Sequence, residues 1–149
     1  MSEQSQRIYV ASSWRNEWQP GVVELLRRDG FEVYDFRNPG PGEHGFAWSA
    51  IDHEWRDWTP AKYAAALDHP LAEHGFALDF EAMQWADTTV LVTPCGSSAH
   101  LELGWAAGAG KRTAVLAYEI REPELMVKVA DAMFTTTTDL LAWLRGEGS

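Results

Sequence analysis

The feature that most constrains this chain is a short apolar strand followed at once by a turn of small residues and a helix, in residues 88–111. Residues 90–92, Val-Leu-Val, form a mostly β-branched run that is too short for a helix. Residues 94–98 then supply turn and helix-capping chemistry. Ligands of open parallel sheets bind where strands end, and a helix N-terminus offers free N–H groups and a positive dipole end. We therefore expect a phosphate or a sugar to bind there, within reach of Glu102.

The composition predicts one globular domain, residues 1–149. With 46% hydrophobic and 23% charged residues, a chain of this length can bury a core. Its net charge of −10 argues against nucleic acid and against an anionic membrane as partners, because nothing neutralises their phosphates in bulk. A small molecule held by a few local groups is the expected partner.

Three features of the sequence favour a cytoplasmic protein. The single cysteine permits no internal disulfide. Residues 1–6 lack the basic and then apolar pattern of an export signal. No apolar run approaches the roughly 20 residues that span a bilayer. We expect no membrane association.

Apolar runs alternate with helical segments along the chain, which predicts five strands connected by helices. The predicted strands are 7–11, 31–36, a central one around 90–92, 112–117 and 132–135. The predicted helices begin near Pro20, Thr59, Phe76, Ser97, Pro123 and Asp139. Because strand–helix–strand units are parallel and right-handed, the simplest fold is α/β, a single-domain, doubly wound, flavodoxin-like and mostly parallel sheet in the order 2-1-3-4-5.

A long irregular stretch, residues 37–58, follows the second predicted strand. It contains three glycines and four aromatic residues, Phe46, Trp48, Trp55 and Trp58, without a clean period. Loops of this length in compact domains usually act as lids or binding loops.

Two motifs are excluded by their spacing. Residues 104–113 contain a Gly-Lys pair but have five residues rather than four before it, and Arg112 follows in place of a hydroxyl, so they are not a Walker loop. His100, Glu102 and Cys95 resemble parts of a zinc deaminase site in reversed order and without the second cysteine. The other histidines have no metal-ligand spacing. We predict no metal and no cofactor.

From the residues alone, Glu102 has two interpretations. An acid in the first turns of a helix is most often solvated and favoured by the helix dipole. Helical spacing, however, puts Ser98, Glu102 and Trp105 on one stripe, with Leu101 and Leu103 on the packed sides. An acid held in a cleft beside fixed donors is a candidate nucleophile or base.

Three segments of the chain resemble the nucleoside 2-deoxyribosyltransferase family and its nucleotide N-glycoside hydrolase relatives. Residues 8–14, Ile-Tyr-Val-Ala-Ser-Ser-Trp, are similar to the family's opening strand with its site tyrosine and base-pocket aromatic. Asp79 and Asp87 match its Asp-x7-Asp pattern. Residues 100–111 are similar to its Glu-Leu-Gly-Tyr-Ala helix, which carries the nucleophile and ends in Gly-Lys.

This resemblance implies an enzyme that cleaves an N-glycosidic bond. Glu102 would attack the anomeric carbon, and water or a second base would resolve the glycosyl ester. The transition state is oxocarbenium-like, so a carboxylate suits it, and Asp79 would protonate or hold the departing base. Tyr9 would orient Glu102 and Trp14 would stack on the base.

The resemblance also implies where the sugar binds. In the transferases an acid stands six residues before the nucleophile, whereas this chain has Gly96 there and hydroxyls at Ser97 and Ser98. That difference favours a phosphorylated sugar. Arg15, with Arg37, is available near the strand ends to meet the phosphate, and Ser12 is a further candidate contact at the end of the first strand.

Two other functions remain open at this stage. Toll-receptor-like (TIR) domains share a similar sheet and a helix-borne glutamate that cleaves NAD, so the chain could be an NAD glycohydrolase. It could also be a non-catalytic nucleotide-sensing module in which Glu102 is structural. Related enzymes assemble as dimers or larger oligomers, which implies a homo-oligomer here.

Overall fold

The computed structural model describes residues 6–147, which form five strands and five α-helices. The strands are β1 Arg7–Ala11, β2 Glu32–Asp35, β3 Thr88–Thr93, β4 Arg112–Ala117 and β5 Ala132–Phe134. The α-helices are α1 Gln19–Arg28, α2 Pro60–Ala66, α3 Pro70–Trp85, α4 Ser97–Gly108 and α5 Thr137–Leu144. Short 3₁₀ helices lie at Trp48–Ala50, Trp55–Asp57 and Leu125–Val129.

The strands form one sheet in the order β2-β1-β3-β4-β5, and every neighbouring pair is parallel. The predicted α/β fold and strand order are confirmed. The strand order reverses between β1 and β3, which is where open α/β sheets bind ligands.

The two faces of the sheet have separate cores, because successive side chains of a strand point to opposite faces. Ile8 and Val10 of β1 pack with residues of α1 and α5. Tyr9 and Ala11 point to the other face and pack with residues of α3 and α4. Tyr9 is therefore directed toward the two helices that carry Asp79 and Glu102.

The helices differ from the predicted ones mainly at their ends. α3 begins at Pro70 rather than Phe76, because Nδ1 of His69 accepts a hydrogen bond from the N–H of Leu71 and caps the helix. α5 begins at Thr137, two residues early, since Thr136 provides its cap. The predicted helix 123–130 is a 3₁₀ turn.

The helical spacing predicts that both Leu101 and Leu103 lie on packed sides of α4, and this prediction is wrong for Leu101. The leucine is 73% exposed, whereas Leu103 is buried. Only one of the two predicted packing positions therefore faces the core, and Glu102 lies at the boundary between the buried and the open side. Among residues 6–147, no helix combines the length and the apolar character needed to cross a bilayer.

Candidate active site

The centre of the candidate site is a hydrogen bond between β1 and α4. The hydroxyl of Tyr9 donates to Oε2 of Glu102 over 2.6 Å. Tyr9 is fully buried in the middle of β1, and Glu102 is in the second turn of α4. The turn after β3 brings α4 back over the sheet, and this places the acid above the first strand.

A second tyrosine and a second acid lie beside the first pair. The hydroxyl of Tyr34 in β2 donates to Oδ1 of Asp79 in α3 over 2.8 Å. Tyr9 and Tyr34 are partners in the β1–β2 register. Their rings stack with centroids 5.4 Å apart and 14° between the planes. The structure thus brings Tyr9, Asp79 and Glu102 together and adds Tyr34 to them.

Burial changes the acidity of Glu102 more than any other factor. The pKa of this carboxyl group is raised from 4.5 to about 7, because burial and the negative charge of Asp79 raise it more than the hydrogen bond from Tyr9 lowers it. Near neutral pH, Glu102 is consequently divided between its charged and neutral forms.

The other three groups of the cluster are also shifted toward their neutral forms. Burial raises the pKa of Asp79, and the hydrogen bond from Tyr34 opposes this effect. The pKa of Tyr9 and that of Tyr34 are raised well above the usual value, first by burial. Both phenols therefore remain proton donors at physiological pH.

Each acid has one oxygen that no protein group uses within residues 6–147. Tyr9 occupies Oε2 of Glu102 and leaves Oε1, and Tyr34 occupies Oδ1 of Asp79 and leaves Oδ2. Neither free oxygen is among the fully buried unpartnered atoms of this part of the chain. Such an arrangement can present a carboxylate oxygen to an electrophile and a carboxyl proton to a base.

Asn16 joins the loops that border the site at the carboxyl edge of the sheet. Its amide nitrogen donates to the carbonyls of Val92 and Pro94, and its Oδ1 accepts the N–H groups of Trp18 and Gln19. Asn16 is buried. The loop after β1 and the loop after β3 are thus held in a fixed relation.

Arg37 has a structural role in the same loop. Its guanidinium donates to the carbonyls of Ser13, Trp14 and Asn16. It also lies 5.2 Å from the centre of a Trp14 ring. The sequence indicates Arg37 as a possible phosphate contact, but its guanidinium binds backbone carbonyls in the structure.

Arg15, Gly96 and Ser97 line a common cavity of about 1120 Å³ at the carboxyl ends of β3 and β4. Glu102, Asp79 and Tyr9 are not among its lining residues. Glu102 lies five positions after Ser97 in α4, which corresponds to about 7.5 Å along the axis. The cavity and the acid cluster are separate, and α4 contributes residues to both.

The remaining predicted contacts are distributed around this edge. Ser97 and Ser98 are exposed in the first turn of α4, whose N-cap, Gly96, makes no side-chain capping bond. The Ser12 hydroxyl donates to the carbonyl of Val92 over 2.8 Å, so its proton is already used. Trp14 is 49% exposed and lies edge-on to Phe36.

A smaller cavity of about 140 Å³ lies between α3 and the aromatic loop, which we define as residues 37–58. Asp79, Phe46, Gly75 and His74 are among its lining residues. Phe46 packs closely on α3, since a Cβ added at Gly75 would lie 2.9 Å from Cβ of Phe46. The aromatic loop thus forms a wall beside Asp79.

The other groups considered from the sequence do not join the cluster. Burial raises the pKa of the Cys95 thiol to about 11, and His100 donates from Nδ1 to the carbonyl of Gly96 over 2.8 Å. Asp87 accepts the N–H of Arg7 at the start of β1, so it is at the opposite edge of the sheet. No cluster of three or more metal-ligating side chains occurs within residues 6–147.

Two solved structures are similar to this chain to different degrees. A 2-deoxyribosyltransferase of the psychrotolerant bacterium Bacillus psychrosaccharolyticus is 25% identical, with a TM-score of 0.64, and the match covers 93% of this chain and 95% of that one. A CMP N-glycosidase of Clostridium botulinum is 17% identical with a TM-score of 0.48, covering 94% and 98%. No protein-family model matches the chain, and no curated protein does.

Sequence reasoning missed two residues of the site, Tyr34 and Asn16. Tyr34 lies in an alternating strand, and only the β1–β2 register puts it beside Tyr9. The sequence signal that could have identified Tyr34 is its polar hydroxyl at a strand position that faces the core. Asn16 lies in an irregular loop, where the sequence gives no indication of a buried amide.

Proposed function

We propose that this chain, which is similar in structure to a 2-deoxyribosyltransferase over 93% of its length, cleaves the N-glycosidic bond of a nucleoside or a nucleoside 5′-monophosphate. The structural neighbour with the better match acts on N-glycosidic bonds, and in this proposal the glycosyl group passes to water or to another base. The observation that carries the proposal is the pairing of Glu102 with Tyr9 beside a second buried acid, Asp79.

Glu102 is the nucleophile in this proposal. Oε1 of its carboxylate attacks C1′ of the sugar, the C1′–N bond breaks, and the base leaves with the electron pair. A carboxylate stabilises the positive charge that develops on the sugar and then forms a covalent ester with it. Attack on C1′ by water, or by the nitrogen of a second base, breaks the ester and restores Glu102, and the proton that this nucleophile loses passes to the Asp79 carboxylate, which restores that acid as well.

Asp79 is the proton donor to the departing base. Burial keeps a larger share of this group neutral than of an exposed aspartate. The small cavity beside it, with Phe46 as one wall, is where the base binds in this proposal. Trp14 contributes a half-exposed aromatic face from the loop after β1.

The 5′ end of the substrate binds at the first turn of α4. Gly96, Ser97 and Ser98 offer backbone N–H groups and two hydroxyls at the positive end of a twelve-residue helix. Arg15 lines the large cavity together with Gly96 and Ser97, and its positive charge favours a substrate with a 5′-phosphate. Ser12 helps to hold the loop that carries Arg15 through its bond to β3.

We also propose a homo-oligomer. Leu101, Leu125, Met126 and Met133 are each more than half exposed. Leu101 and Met133 line the same cavity, and exposed apolar patches often mark an interface between subunits. Sedimentation velocity would detect a mass above that of one chain, and a monomer at micromolar concentration would contradict this part of the proposal.

The test of the activity is release of free base. The protein is incubated with nucleosides, 2′-deoxynucleosides, their 5′-monophosphates and NAD, and the products are separated by chromatography. We expect base from a nucleoside or a monophosphate, and none from Glu102→Ala, while Glu81→Ala on the exposed side of α3 retains activity. Nicotinamide from NAD alone would favour the NAD glycohydrolase alternative, and no product from any substrate would favour the sensor.

A further inference from the structure

Two tyrosines of neighbouring strands each hold one of the two buried acids. Tyr9 donates to Glu102 and Tyr34 donates to Asp79. The tyrosines are register partners with stacked rings. The hydrogen bond from Tyr34 to Asp79 therefore has the same form as the bond from Tyr9 to Glu102. It starts from the neighbouring strand and ends on the other acid.

We propose that Tyr34 is a positioning residue for Asp79, which fixes the carboxyl group so that the proton given to the departing base is on Oδ2. This inference rests on the proposed function and adds a residue to it. Because Oδ1 accepts the phenol proton, a neutral Asp79 carries its own proton on the other oxygen. That is the oxygen which no protein group uses within residues 6–147.

The same bond stabilises the product of the proton transfer. When the C1′–N bond breaks and the base takes the proton from Oδ2, Asp79 becomes a carboxylate. The hydrogen bond from Tyr34 then becomes charge-assisted and stronger. It therefore favours the transition state over the bound substrate, which is the condition for a contribution to the rate.

Nothing else in the described part of the chain offers Asp79 this stabilisation. Asp79 takes part in none of the ion pairs within residues 6–147. The titratable groups near it are Tyr34, Tyr9 and Glu102, with Glu43 and His74 lining the same small cavity. Glu43 and His74 bind each other. Tyr34 is thus the one proton donor that contacts this acid in residues 6–147.

The first test is a double-mutant cycle on the rate of base release. Tyr34→Phe keeps the stacked ring and removes only the hydroxyl. We expect its kcat to fall about tenfold or more, which is the usual effect of a hydrogen bond to a charged group. In Asp79→Ala the same substitution should have no further effect. Tyr63→Phe, an exposed tyrosine on α2, is the control and should leave kcat unchanged.

The second test does not depend on activity. Carbon-13 NMR of aspartate-labelled protein follows the ionisation of Asp79. The bond from Tyr34 lowers the pKa of Asp79, so in Tyr34→Phe we expect this carboxyl to titrate at higher pH, and in Tyr63→Phe at the same pH as in the wild type.

These two tests distinguish failure of the inference from failure of the proposed function. Base release by the wild type, with full activity in Tyr34→Phe or with an equal loss in the Asp79→Ala background, would overturn the positioning role and leave the function standing. An unchanged Asp79 titration in Tyr34→Phe would overturn it even for a protein that releases no base.

Discussion

Tyr9 donates a hydrogen bond of 2.6 Å to Oε2 of Glu102 and so joins the first strand of the sheet to the second turn of α4. Burial alone would leave this glutamate mostly neutral, because removing a carboxylate from water disfavours the charged form. The phenol proton offsets part of that effect. The pair therefore holds a carboxylate that is poorly solvated, fixed in direction and still able to ionise near neutral pH.

We predict that the rate of base release falls as pH rises through an apparent pKa of about 7. The active pair holds one proton, with Glu102 ionised for attack and Asp79 neutral so that it can protonate the base. The value of about 7 for Glu102 includes the negative charge of Asp79, so it marks the loss of the last proton from the pair. The measurement is kcat/KM between pH 5 and 9, which reports the free enzyme. A rate that still rises between pH 7 and pH 9 would contradict this assignment.

Two variants should move the pKa of Glu102 in opposite directions, and carbon-13 NMR of glutamate-labelled protein follows that pKa without requiring activity. Asp79→Asn removes a charge that raises the pKa of Glu102, so the carboxyl should titrate at lower pH. Tyr9→Phe removes the hydrogen bond that lowers it, so the carboxyl should titrate at higher pH. Shifts of the same sign in both variants would contradict these two causes.

Glu102→Gln should make the protein more stable at alkaline pH. The pKa of Glu102 is raised from 4.5 to about 7 on folding, so its contribution to stability is complete below pH 4.5 and is lost as pH rises through 7. Glutamine stays neutral, and the gain at pH 8 to 9 should reach about 3 kcal/mol. Denaturant unfolding at pH 5 and pH 8.5 measures it.

Glu81→Gln, an exposed position on α3, is the matched control for that prediction. It should change stability little, and equally at both pH values. If Glu102→Gln stabilised the protein no more at pH 8.5 than at pH 5, Glu102 would not be strongly desolvated.

Much of this arrangement could be predicted from the sequence. The alternation of short apolar runs with helical segments predicts the strand order, and the resemblance in three segments selects Tyr9, Asp79 and Glu102. Tyr34 could not be found in this way, because its position depends on the register of β1 with β2. Spacing around α4 also misplaced Leu101, which lines the large cavity at the carboxyl ends of β3 and β4 and is not packed in the core.

Arg15→Ala should weaken binding of a phosphorylated substrate selectively. Loss of a charge-assisted hydrogen bond should raise the KM of a nucleoside 5′-monophosphate about tenfold and leave the KM of the matching nucleoside within about twofold. Arg28→Ala is the control, because Arg28 is exposed on α1 and pairs only with Glu24 among the described residues. An equal effect on both substrates would argue against a phosphate contact at Arg15.

Gly45→Ala should destabilise the aromatic loop. Gly45 has a φ of +81°, and a Cβ there would lie 2.5 Å from Cζ2 of Trp14 and 2.8 Å from the carbonyl oxygen of Phe36. We expect the free energy of unfolding to fall by about 1–3 kcal/mol. The KM for substrate should rise as well, because Trp14 must move.

Gly40→Ala in the same loop provides the comparison. It has no heavy atom within 4 Å of the added Cβ and no positive φ. Its unfolding free energy and KM should stay near the wild-type values. Equal losses in the two variants would mean that the loop as a whole, rather than the contact of Gly45 with Trp14, determines the effect.

The most direct measurement of the central proposal is mass spectrometry of protein quenched with acid during turnover. A nucleophilic Glu102 predicts a fraction of the chain heavier by one glycosyl group, with the added mass on the peptide that contains residue 102, and no such species in Glu102→Gln. If base is released at the normal rate and rapid quenching finds no glycosylated peptide, or finds it on another residue, Glu102 is not the nucleophile.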